Sequence, residues 1–135
     1  MMNQTLSVVP QGLIEGGSVS LQADDAGVIT FSGSVVAGIG WFSRTFADSG
    51  SLKIDPSLLL CKNLKAGQVF EFPGVEITIK SVAVFGGYAD IKITEGTDAL
   101  TGTAMLDLSH DDLMFKHILL SGTADGHDVT IELQG

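Results

Sequence analysis

The chain has 135 residues and a mass of 14.1 kDa, the size of one ordinary domain, and its 44% hydrophobic content is enough for a core without disulfides or a structural metal. Sixteen acidic residues face seven basic ones, and the resulting net charge of -9 repels phosphate backbones and anionic lipid, which excludes a general nucleic-acid binder. Seventeen glycines against three prolines, among many Val, Ile, Thr and Ser residues, suit short strands joined by tight turns.

Met1 to Gly12 carries no basic residue and no apolar run beyond Val8 and Val9, so it lacks both parts of a secretory signal. Apolar and polar residues then alternate through Val19, Leu21 and Ala23, and again through Ile29, Phe31, Gly33 and Val35. With Asp24-Asp25-Ala26-Gly27 between the two runs, this predicts a hairpin. The next segment, from Val36 to Phe46, carries Ile39, Trp41, Phe42 and Phe46 among glycines; burial is the leading expectation, with a ligand or partner patch as the alternative. Its Gly38-Ile39-Gly40 lacks the third glycine of a dinucleotide fingerprint and opens no helix.

Asp55 as N-cap and Pro56 at the first helical position predict a short helical connector ending near Leu60. Cys61 follows three leucines and is expected to be a small buried thiol, not a nucleophile. A second hairpin is predicted where Phe70 and Phe72 lead through Pro73-Gly74 into Val75, Ile77 and Ile79. Ala89, Ile91 and Ile93 alternate in the next strand, and residues 100–109, 113–124 and 128–134 read as a three-stranded meander. No stretch approaches the roughly 20 apolar residues of a membrane helix. A cytoplasmic protein that neither crosses nor binds a membrane is therefore expected.

A short repeat recurs as Phe31-Ser-Gly-Ser-Val35, Leu100-Thr-Gly-Thr-Ala104 and Leu120-Ser-Gly-Thr-Ala124. Where the large flanking residues face the core, Gly33, Gly102 and Gly122 face it too, marking a bend, a close approach or room for a bulky group. Trp41 is the expected filler, with a bound ligand as the alternative. His110, His117 and His127 all fall in the acidic C-terminal third. In the meander, His110 and His127 occupy turns at opposite ends, roughly 35 Å apart at strand rise, so no shared metal site is assigned. The Asp-rich turns around Asp107 and Asp125 lack the calcium-loop pattern and are read as turn chemistry.

The sequence thus predicts a single all-β domain over residues 1–135, an antiparallel sandwich or small barrel of about eight or nine strands with at most one short helical turn near residues 56–60. No catalytic residue, metal ligand or cofactor is assigned, and a binding or structural module is the expected function. Two alternatives stand beside it. One is a barrel holding a small apolar ligand beside Phe31, Trp41, Phe42 and Phe85; the other is an enzyme or metal-binding protein using the C-terminal Asp and His residues. A protein partner, a small apolar ligand or a second copy of the chain are the partner classes. Phe115, His117 and Leu119 are expected on one strand face that a second layer or another subunit covers.

Overall fold

Period-two alternation along most of the chain folds it into ten antiparallel strands in a single sheet, seen in a computed structural model that describes residues 2–39, 41–83 and 85–135, the side chain of Ile39 excepted. Gly40, the last residue of the Gly38-Ile39-Gly40 stretch, lies outside the described residues. The strands are β1 (Met2–Val8), β2 (Ile14–Ala23), β3 (Val28–Ile39), β4 (Phe42–Lys53), β5 (Val69–Phe72), β6 (Val75–Ala83), β7 (Tyr88–Glu95), β8 (Asp98–Leu106), β9 (Phe115–Ala124) and β10 (His127–Gln134). Both predicted hairpins and the C-terminal meander form. The N-terminal segment, where no strand was expected, becomes β1.

The sheet runs β4-β3-β2-β1-β10-β9-β8-β7-β6-β5. Pairing of β1 with β10, through Ser7 with Gln134 and Val8 with Leu133, fuses two meanders into one curved sheet. Its end strands β4 and β5 then approach without a hydrogen-bonded ladder. Their seam is apolar: the Phe31 and Phe72 rings meet edge to face, with centroids 4.8 Å apart. Gly50 makes this approach fit, because a Cβ there would stand 3.0 Å from the Phe31 ring and 3.5 Å from Phe72 Cβ. The result is a nearly closed barrel whose inward rows are largely apolar and whose outward rows are rich in Ser, Thr and charged residues; among the described residues no second layer packs on the outside.

The two ends differ. At the base, Pro56–Leu59 and Cys61–Asn63 form short 3-10 turns, begun by the Asp55 side chain accepting from the Ser57 N–H at 3.0 Å. The connector is tied to the β8–β9 loop by Cys61 N–H to Asp111 O at 3.0 Å and Leu113 N–H to Leu59 O at 2.7 Å. Leu59, Cys61, Leu64 and Leu113 are all buried there and plug the barrel; the Cys61 thiol donates to Asp112 O at 3.3 Å. The opposite end, ringed by the β3–β4, β7–β8 and β9–β10 turns, has no comparable plug among the described residues.

The glycine repeat has a pairing logic. Gly102 lies opposite Leu120 and Gly122 opposite Leu100, so in each pair the glycine leaves room for the other repeat's leucine. Both positions also hold strand β8 tightly against β9: a Cβ on Gly102 would overlap the Leu119 carbonyl, and one on Gly122 the Ala99 carbonyl. Gly102→Ala should therefore lower stability by about 2 kcal/mol or more, because backbone and not a pliable side chain must move. Urea denaturation reads this directly, and an unchanged midpoint would contradict the close approach.

Candidate functional site

Inward-pointing side chains from all ten strands surround a cavity of about 430 Å³. Its wall is built from the strand rows that alternation sends inward, including Leu6, Val19, Leu21, Val35, Ile93 and Leu100. Many of these remain partly accessible although they face the interior, because the side chains opposite do not reach them. Gly33 on this wall adds no side chain, and Ala37 and Ala89 each add only a methyl group.

Towards the open end the same inward rows become polar. Asp48 on β4 lies opposite Gly33, while Glu95 and Asp98 form the last cross-strand pair of β7 and β8. All three line the cavity, as does His127 at the start of β10. Desolvation pushes the Glu95 carboxyl above its ordinary value of 4.5; the charge of Asp48, a hydrogen bond shared with it, and the charge of Asp98 add to the rise. Asp98 also accepts the Asp125 N–H at 2.9 Å.

Arg44, the single arginine of the chain, spans this mouth. Its Nη1 lies 2.6 Å from Asp125 Oδ2, and its guanidinium sits 5.0 Å from the Phe46 ring centroid, with Phe46 itself on the cavity wall. In the sheet order β4 and β9 stand half a circuit apart, so the Arg44–Asp125 contact crosses the mouth from side to side. Both partners are about half exposed, which limits such a pair to roughly 0–1 kcal/mol. It positions the β3–β4 hairpin without locking it.

Several expected site residues lie elsewhere. Of the four aromatic residues expected around a ligand, Phe31 lines the cavity, but Trp41 is 98% exposed and Phe42 77% exposed on the β3–β4 hairpin. Trp41 does not fill the space left by the glycines, and the expected burial of the aromatic segment fails there. The hairpin overshoots the rim, because β3 and β4 are each 12 residues long while their neighbours end sooner. Phe85 is fully exposed in the β6–β7 turn, at the base, where no wall faces it.

The expected Phe115, His117 and Leu119 face is split. A register shift between Met105 and Leu106, where Leu106 pairs with Phe115 but Met105 with His117, changes the phase of β9. Phe115 consequently turns inward onto the cavity, while Leu119 stays half exposed outside and His117 Nε2 lies 2.7 Å from Glu132. The C-terminal acid and histidine residues divide likewise. Asp98, Asp125 and His127 gather at the mouth; Asp107, His110, Asp111 and Asp112 belong to the base loop, with His110 3.8 Å from Asp107.

No protein-family model matches the chain, nor does any curated protein or solved structure. The geometry of the site is therefore the sole guide to function. Among the described residues no helix is long and apolar enough to cross a membrane.

Two measurements check the geometry of the mouth. Since the folded state raises the Glu95 pKa, Glu95 stabilises the fold fully below its ordinary value of 4.5, and that contribution fades as pH rises through the shifted value. Glu95→Gln should flatten this fall of stability with rising pH, measured by urea denaturation from acid to neutral pH. An equally steep fall in the variant would argue against the Asp48–Glu95 contact. Trp41 is the single tryptophan, so its emission should be solvent-like and readily quenched by acrylamide in the native protein. A blue-shifted, protected emission would place the hairpin against the body of the barrel.

Proposed function

We propose that the chain is a non-catalytic binding module that encloses one small apolar ligand inside its barrel. The observation that carries this reading is an apolar cavity of about 430 Å³, plugged at one end and open at the other. Protein interiors hold few voids larger than a water molecule, and ligand pockets span roughly 300–1,000 Å³. Apolar walls without packing partners forgo dispersion contacts, so a space of this size is unfavourable when no apolar occupant fills it. A chain that needed only a stable scaffold would fill such a space with larger side chains; Gly33, Ala37 and Ala89 leave it open.

The reading also accounts for the polarity of the mouth. Apolar walls supply affinity without direction, and a few polar groups at the entrance orient what enters.

Binding of the neutral fluorophore N-phenylnaphthylamine tests this. The expected result is saturable binding at one site per chain, competed by decanol, with a rise in thermal stability that grows with ligand concentration. Leu100→Trp, and the milder Leu100→Phe, should fill the cavity and weaken binding at least about tenfold while raising or preserving the melting temperature. Absence of saturable binding, or undiminished binding in both folded variants, would refute the proposal.

A further inference from the structure

We infer that the ligand is an amphiphile with a cationic nitrogen head, whose apolar body fills the barrel and whose head sits among Asp48, Glu95 and Asp98. This rests on the barrel being a ligand site and adds the chemical class of what it takes.

Each of these three carboxyl groups occupies an inward-phase strand position at the open end of one apolar cavity, Asp48 and Asp98 half-buried and Glu95 exposed at the rim. Asp48 continues the row that carries Phe46 and Gly50, so alternation gives that position an apolar side chain in an ordinary barrel wall. Three strands, β4, β7 and β8, bring the carboxylates together although the residues are separated in sequence.

Among the described residues none of the three is ion-paired, and Arg44 at the same mouth is joined to Asp125. The groups facing Glu95 and its neighbours are Asp48 and Arg44 from β4, Asp98 from β8, Asp125 from the β9–β10 turn and His127 from β10. Desolvation first, and then the neighbouring Asp48 and Asp98, raise the Glu95 pKa; Asp48 and Asp98 each accept a backbone N–H, from Ser49 and Asp125, and among the described residues no cation pairs with the three. A ligand cation supplies that pairing: an ammonium group donates hydrogen bonds to carboxylates and removes their mutual repulsion at once. A fatty acid, phosphate or sulfate head meets like charge at the same place and is rejected, and an alcohol gains hydrogen bonds but no charge compensation.

The seam adds a reason for this location. β4 and β5 share no ladder, and above Phe72 the flank of β4 has no paired strand. The Asp48–Glu95 contact stands across that gap, so a cation between the two carboxylates would hold together the part of the wall that backbone hydrogen bonds leave open.

Calorimetry on the full chain at neutral pH, with decylamine, decanol and decanoate as probes, tests the inference. Decylammonium should bind at one site at least about tenfold more tightly than decanol, with decanoate weakest. The combined substitution Asp48→Asn, Glu95→Gln and Asp98→Asn relieves repulsion and so should fold; it should bring the amine-to-alcohol affinity ratio to about one. Equal affinities for amine and alcohol in the unaltered protein, or preference for decanoate, would overturn the head-group assignment while leaving the cavity reading standing. An amine preference that survives the triple substitution would trace it to the general negative charge of the protein and also overturn the assignment. If neither decanol nor decylamine binds, the cavity reading fails, and the head-group assignment with it.

Discussion

The structure depends on one constraint: how far inward side chains can reach once ten strands close into a ring. Barrel diameter grows with strand number, and about eight strands already give an interior that side chains just fill. Ten strands make a wider ring, and this chain places small residues on its inward rows where filling would need large ones. Gly102 and Gly122 let β8 and β9 approach closely while the opposed leucines interlock. Curvature is achieved with glycine, and the same choice leaves the centre open. Wall and cavity are thus consequences of a single pattern.

The two ends of the hollow barrel are built differently. The long β4–β5 connection has enough residues to fold back under the barrel, and its two short turns carry Leu59, Cys61 and Leu64 into the base. Backbone hydrogen bonds to the β8–β9 loop fix that plug, so burial there does not depend on side-chain packing alone. At the mouth the arrangement is looser. One exposed ion pair crosses the opening, Ser43 donates to the Glu15 carboxylate, and the other flank of β4 is unpaired.

The carboxylates at the mouth carry a cost in the absence of a partner. Desolvation and the neighbouring Asp48 and Asp98 make ionised Glu95 unfavourable in the folded state, as its raised pKa reports, while Asp48 and Asp98 each accept a backbone N–H, from Ser49 and Asp125. Sites that are built to bind commonly sacrifice some stability in this way, and the cost is recovered when a complementary group arrives. In the proposed reading the apolar cavity and the carboxylates at its mouth are met by one occupant.

Much of the fold was legible in the chain. Alternation at Val19–Val35, Phe70–Lys80 and Ala89–Thr94 marked strands because each has one apolar face, and Asp55-Pro56 marked the connector through cap chemistry. β1 was harder to see because Gln4 interrupts its inward row; the tertiary fold explains it, since the Gln4 side chain bonds both the N–H and the carbonyl of Phe115 on β9. The site was far less legible. Phe31 could be placed from its row, but Trp41 and Phe42 could not, since hydrophobicity does not reveal that a hairpin overshoots the rim. Asp48 broke the pattern of its strand, yet its meaning appeared only when closure set it beside Glu95 and Asp98. Sequence alone determined what is local: which residues alternate, turn and cap. Closure, the register shift that turned Phe115 inward, the plug, the hollow and the gathering of carboxylates were decided by tertiary structure, because they depend on which strands meet after the sheet curls, and that is a property of the whole ring.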